Sequence, residues 1–196
     1  MILIFLGPSG CGKGTQAKLI SEKYHLPTYS TGEIIRQEGA AGTSEGKEAL
    51  EYANKGVWAP DELVFRMLKK YLETPEAKDG FILDAYPRTA PQAQILADYL
   101  ATRGQKVDKV FSLETSDEVA IARIENRKAD DLKTKGEVRA DETPEVVAKR
   151  LDSFRRSIAP VLDYYRQVGN LEIIDNSPPI EEVSQSILAK VPNSNN

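Results

Sequence analysis

Apolar residues fall along this chain in two alternating rhythms: short unbroken runs, and longer stretches with apolar positions three or four apart. The first run, residues 2–6 (Ile-Leu-Ile-Phe-Leu), has the pattern of a strand buried on both faces in a parallel sheet. Residues 80–84, 109–113 and 171–175 repeat it, and 25–29 add a short extended piece. Helical spacing fills the intervals. One helix follows residue 12, with Ala17, Leu19, Ile20 and Tyr24 on its apolar side, and others are predicted over about 45–54, 61–73, 89–102 and 179–191. The alternation predicts an α/β fold: a doubly wound, five-stranded parallel sheet flanked by helices, with ligands at the C-terminal ends of the strands.

Polar residues signal the helix boundaries. Ser30 and Glu33 have capping-box spacing and predict a helix through Ile34, Ile35 and Arg36; Thr115 and Glu118 repeat that spacing. Thr143 before Pro144 reads as an N-cap with proline at the first helical position, opening a long helix that should kink or restart at Pro160. Gly56 and Pro60 bracket a connection, so residues 30–59 read as a helical insertion with little core of its own. Residues 128–138 are polar and aperiodic, the pattern of a mobile surface loop, and the tail 192–196 should fray.

With 196 residues, 40% hydrophobic and 29% charged, the chain has material for one well-buried domain with small excursions. A net charge of −4 argues against a polyanion binder, so nucleic acid is not an expected partner. Cys11 is the single cysteine, which rules out an internal disulfide and a cysteine-based zinc site and suits a reducing compartment. No run approaches the roughly 18 apolar residues of a membrane span, and nothing near the N-terminus resembles a signal peptide. The expectation is a cytoplasmic protein with no membrane partner. His25, the single histidine, has no histidine or cysteine near it in sequence and reads as structural or solvated.

Candidate chemistry begins directly after the first strand. Gly7, Gly10, Gly12 and Gly14 release the backbone into a tight loop before a helix, and in that arrangement backbone N–H groups and the helix N-terminus face an anion. Gly7, Gly12 and Lys13 match Gly-x-x-x-x-Gly-Lys-Ser/Thr, with the Lys13 ammonium reaching terminal phosphates; Gly14 stands where the hydroxyl is usual and Thr15 follows one place late. Cys11 reads as a small residue filling the loop, with a reactive thiol as the alternative. Asp84 ends its strand with the kind of carboxylate that holds Mg²⁺ directly or through water. Arg123 and Arg127, four apart, share one helix face, a repulsive pair that a fold accepts more readily around an anion.

Gly-Pro-Ser-Gly-Cys-Gly-Lys-Gly-Thr-Gln-Ala at 7–17, Ser-Thr-Gly-Glu-Ile-Ile-Arg at 30–36, Pro-Asp-Glu-Leu-Val at 60–64, Gly-Phe-Ile-Leu-Asp-Ala-Tyr-Pro-Arg-Thr at 80–89, and Arg-Ala-Asp-Glu at 139–142 with Arg150 together resemble the adenylate kinases. The match is in order and covers essentially residues 1–190, and Gly-Lys-Gly-Thr is normal in that family. The resemblance implies a P-loop core (1–29, 60–125 and 139–196), an NMP-binding insertion (30–59) and a short lid (126–138) that lacks the four metal-ligand positions of zinc-bearing members. It implies Mg²⁺-dependent transfer of a phosphoryl group from ATP to AMP, giving two ADP, by a monomer. Gly10, Cys11, Gly12, Lys13, Gly14 and Thr15 would hold ATP, and Arg123, Arg127, Arg139 and Arg150 would clamp the transferring group. Arg36 and Arg88 would take the AMP phosphate, with Arg139 and Arg150 also reaching AMP. Thr31, Gln92 and the backbone around Val57, Trp58 and Ala59 would face the AMP base, close to Ala85. Asp84, with Thr15 and Glu33, would orient waters around Mg²⁺. Closing the lid and insertion would exclude water from the reaction.

Three residues depart from the family pattern: Ala85 for a glycine, Glu33 for an aspartate, and Trp58 for a smaller aliphatic residue. Glu33 is open to a capping-box or a magnesium role, and Trp58 to base stacking or plain packing. The nearest alternative is a UMP/CMP kinase of the same fold, against which Thr31, Arg88-Thr89 and Gln92 point to the adenylate enzymes. A GTPase-like switch would need Asn-Lys-x-Asp after a strand, whereas Asn54-Lys55 continues into Gly-Val. A non-catalytic nucleotide-binding module is the remaining alternative, although every arginine and lysine that the chemistry needs is present.

Overall fold

The computed structural model describes residues 1–192; the expected fraying of the tail falls, apart from Pro192, outside the described residues. Its frame is a sheet of parallel strands β1 (Ile2–Leu6), β2 (Thr28–Ser30), β3 (Phe81–Asp84), β4 (Lys109–Glu114) and β5 (Leu171–Asp175), in the order β2-β3-β1-β4-β5. The helices are α1 (Lys13–Tyr24), α2 (Thr31–Ala40), α3 (Ser44–Asn54), α4 (Asp61–Leu72), α5 (Ala90–Ala101), α6 (Asp117–Lys135), α7 (Pro144–Val168) and α8 (Ile180–Leu188).

The apolar runs are strands because both faces of the sheet are covered. Ile2, Ile4 and Leu6 of β1 join a core with α4, α5 and α7, while Leu3 and Phe5 join a second core with α1 and α8. Register places Phe5 and Ser30 on either side of Asp84, so the chain leaves β1, β2 and β3 at one edge, as Gly7, Thr31 and Ala85. That edge, at the C-terminal ends of the strands, carries the site.

Several local expectations are corrected. Residues 128–135 are not a loop but the end of α6. Nothing between Ser116 and Lys135 breaks a helix, Lys128 pairs with Glu125 at 3.0 Å, and the stop comes only at Gly136, which closes the helix at φ 75°. The N-cap of α6 is Ser116, whose hydroxyl accepts from Val119 N, rather than Thr115. Ser30 makes no side-chain cap, so its box with Glu33 does not form. Thr143 does cap α7, accepting from Val146 N at 3.3 Å. Pro160 lies inside an unbroken α7, held on one side by Leu151 against Ile124 of α6 and on the other by Val161 and Tyr165 in the sheet core. Leu19 is exposed, and buried Gln16 takes its place on the inner face of α1, its amide donating to the Ile180 carbonyl.

Candidate active site

The loop after β1 closes into a cradle through its own backbone. Gly10 has φ 82°, and a Cβ there would lie 2.3 Å from the Ala120 carbonyl oxygen, so the loop presses on α6 where no side chain fits. Gly12 precedes α1 at φ 95°, with the Thr15 and Gln16 N–H groups turned back to its carbonyl. Lys13 Nζ donates to the Pro8 carbonyl at 3.0 Å, arching over the loop. Gly10, Gly12, Lys13, Gly14 and Thr15 line a cleft of about 1070 Å³; the Cys11 side chain is buried away from it, facing Gly7. The backbone of Cys11 is engaged instead, its carbonyl accepting from Arg123 Nη1 at 2.8 Å and from the Asn176 amide. His25 ends α1, exposed, as a structural residue.

Arginines predicted from distant parts of the chain converge on this cleft: Arg36, Arg88, Arg123, Arg127, Arg139 and Arg150 all line it, with Glu33 and Asp84. Arg123 is fixed by a second bond, to the Asn176 carbonyl at 3.0 Å. Arg150 donates to Asp141 at 2.9 Å, with Arg36 3.5 Å from the same carboxylate oxygen. Arg127 lies 2.5 Å and Arg139 3.8 Å from Glu142, and Arg139 is also 3.5 Å from Asp131. Burial lowers the pKa of Arg36, Arg88 and Arg150; after burial, Arg139 depresses Arg36 and Arg150 depresses Arg88, which comes down to about 10, while Asp141 opposes the fall at Arg150. All remain cations at neutral pH. Crowded, partly desolvated guanidinium groups of this kind gain most from an added polyanion.

A smaller pocket opens beside the cleft, walled by Ile35, Ala49, Ala53 and Val64 and by the predicted Thr31, Val57, Trp58, Ala59 and Gln92. Arg36, Arg88 and Arg150 line both spaces, so these three guanidinium groups stand where the two join. Ala85 follows Asp84 at φ 62°, ahead of a cis Tyr86–Pro87 peptide, and its carbonyl accepts from Thr31 Oγ1 at 3.3 Å and Arg88 Nε at 2.9 Å. Gln92 uses both ends of its amide, Oε1 accepting from Arg88 N at 2.7 Å and Nε2 donating to Asp61 at 2.8 Å.

Sequence reasoning missed the acidic partners Asp131, Asp141 and Glu142, and Asn176 at the end of β5. Asp141 and Glu142 stand two and three places after Arg139 in Arg-Ala-Asp-Glu, and a charge count over so many converging arginines would have marked them. Asn176 was findable as the polar residue leaving a strand at the ligand edge.

A cation-lined cleft that shares three of its arginines with a mostly apolar side pocket, on a doubly wound P-loop sheet, is the site of a nucleotide phosphotransferase. The family model for adenylate kinase matches residues 5–170. An adenylate kinase of Agrobacterium fabrum is 42% identical over 187 residues, covering 95% of each chain. Those of Brucella abortus and Brucella ovis are 41% and 40% identical, over 95% of this chain and 96% of their own. The chain belongs to the adenylate kinase family, and its function is that of the family, phosphoryl transfer between ATP and AMP.

Proposed function

We propose that the donor nucleotide lies with its phosphates on the Gly7–Thr15 loop and the acceptor monophosphate occupies the side pocket, with transfer taking place between them. The observation that carries this reading is the sharing of Arg36, Arg88 and Arg150 by the two spaces. Lys13 and the loop amides hold the donor phosphates, Arg123, Arg127, Arg139 and Arg150 neutralise charge on the group in flight, and Arg36 and Arg88 orient the acceptor phosphate. No covalent intermediate is needed, because phosphoryl transfer is governed by alignment and charge.

The residues fit magnesium. Asp84 Oδ1 is buried without a hydrogen-bond partner, and Asp84 Oδ2 would stand 3.5 Å from a Cβ at Gly14, so the carboxylate faces the loop with unused acceptor capacity. Asp84, with Thr15 and Glu33 lining the same cleft, would hold the ion through water. Bound there, magnesium would spread the phosphate charge.

AMP is the acceptor that the pocket suits best. Its walls are largely apolar, and Thr31 and Gln92 line it beside them. In this reading residues 30–59 form the acceptor arm and 126–138, mostly helix, the lid, in a cytoplasmic monomer. No helix among the described residues is long and apolar enough to cross a membrane.

The test is ADP formation from Mg·ATP with AMP, CMP, UMP and GMP offered separately, for the parent chain and for Arg88→Ala. AMP is expected to be preferred, and Arg88→Ala to cut transfer by about 10³-fold with ATP affinity retained. A faster pyrimidine monophosphate would overturn the acceptor assignment, and loss of ATP affinity in Arg88→Ala would overturn the role of Arg88.

A further inference from the structure

Of the six converging arginines, Arg36, Arg127, Arg139 and Arg150 pair with carboxylates, and Arg123 spends both terminal nitrogens on carbonyls. Arg88 differs. Among the described residues it makes no ion pair within 4.0 Å of a carboxylate, and its guanidinium carbon lies over the Trp58 ring, 4.2 Å from the centroid. Its Nε donates to the Ala85 carbonyl, so the group is held at two points, by the ring and by the carbonyl.

Trp58 is itself held. Its indole Nε1 donates to Ser157 Oγ of α7 at 3.1 Å, and one turn earlier Ser153 Oγ donates to the Gly56 carbonyl at 3.2 Å. Gly56, at φ 73°, lies so close to α7 that a Cβ would stand 2.9 Å from the Val146 carbonyl oxygen. Positions 146, 153 and 157 share one face of α7, and Arg150 lies on that face between them. The segment 56–58 is therefore fastened along the same helix that presents Arg150 to the cleft.

The chemistry of the two kinds of support is different. A carboxylate occupies the N–H edge of a guanidinium, the same edge that a phosphate needs, so substrate must displace it. An aromatic ring attracts the cation through its face and leaves the edge free. We propose that Trp58 is a positioning residue for the acceptor phosphate: it presents the Arg88 guanidinium edge-on to the monophosphate, and Ser157 sets the plane of the indole. The proposal rests on the reading of Arg88 as the arginine of the acceptor phosphate. Trp58 lines the side pocket as well, so its contact with the cation lies at the wall of the space assigned to the acceptor.

The experiment compares Trp58→Leu, Trp58→Phe, Ser157→Ala and Arg88→Ala in initial rates at varied AMP and varied ATP, with thermal melts of each. Trp58→Leu is expected to raise KM for AMP about tenfold while KM for ATP stays within about twofold. Trp58→Phe should recover most of that loss because it keeps a ring face, and Ser157→Ala should raise KM for AMP by about threefold. An unchanged KM for AMP in Trp58→Leu, an equal rise for both nucleotides, or a phenylalanine no better than leucine would overturn the positioning role.

Trp58 is the single tryptophan, so its emission reports the contact without turnover. Arg88→Ala is expected to shift the emission of the free protein, and an unshifted spectrum would overturn the stack. Arg88→Ala that retains full transfer to AMP would instead overturn the reading of Arg88, whatever the emission does.

Discussion

Arg150 and Asp141 meet at 2.9 Å in a place where the carboxylate is almost closed to water, with 5% of its surface exposed and a second guanidinium, that of Arg36, 3.5 Å from the same oxygen. Glu142, 1% exposed, stands in the same relation to Arg127 and Arg139. Two adjacent buried acids thus hold four of the cations that line the cleft, which keeps like charges together in the folded chain and would place the acids in competition with a bound phosphate for the same N–H groups.

Asp141→Asn separates these two effects. The amide keeps the shape and removes the shared counter-charge, leaving Arg36 only the more exposed Glu33 at 3.8 Å, and stability should fall by about 3 kcal/mol. The same change frees their N–H edges, so inorganic phosphate should raise the melting temperature of Asp141→Asn more than that of the parent. Equal phosphate shifts in the two proteins would show that Asp141 does not compete with anions.

Ala85 places a Cβ at φ 62°, where a side chain costs about 1 kcal/mol, and its carbonyl orients both Thr31 and Arg88. Removing the methyl relieves that strain and gives up part of the gain in lost burial. Ala85→Gly should stabilise the chain by about 0.5 kcal/mol, read as a higher denaturation midpoint at unchanged slope. A lower midpoint would mean that packing of the methyl outweighs the strain.

Glu172 fastens the edge strand β5, accepting from Lys190 at 2.8 Å and lying 2.9 Å from Lys109 at the start of β4. Those two lysines, Lys190 first, hold its carboxyl pKa below the ordinary value. A carboxylate whose pKa is lower in the folded chain stabilises above the unfolded value, near 4.3, and that stability is lost as pH falls through the folded pKa. Glu172→Gln should therefore cost about 0.5 kcal/mol at pH 7, and the difference from the parent should close in acid below the folded pKa. A cost that persists unchanged in strong acid would assign Glu172 a packing role in place of an ionic one.

The frame of the molecule was legible because burial leaves its mark residue by residue: Ile2 to Leu6 could be nothing but a two-sided strand, and Thr143-Pro144 nothing but a helix start. The cradle was legible for the same reason, its glycines being demanded by backbone shape. What escaped was decided between distant segments. Whether Thr115 or Ser116 caps α6 depends on where β4 releases the chain, and both hydroxyls satisfy the local rule. The polar run 128–135 carries no apolar stripe because its surroundings do not require one, yet nothing in it opposes a helix that has already begun. Arg36 has one local partner at helix spacing, Glu33, but its buried partner Asp141, like Asn176 for Arg123 and Ser157 for Trp58, is far away in sequence, and no spacing encodes such pairs.

The extent of α6 changes how force travels to the donor side of the site. Arg123 and Arg127 ride on the same continuous rod as the segment that ends at Lys135, about 18 Å beyond Arg123. A loop in that place would have absorbed displacement; a rod magnifies it, so a slight tilt where α6 meets the cradle swings the far end through several times the distance. With residues 126–138 as the proposed donor cover, that cover would be a lever with its fulcrum at the Gly7–Thr15 loop, resisted by the bending stiffness of a helix.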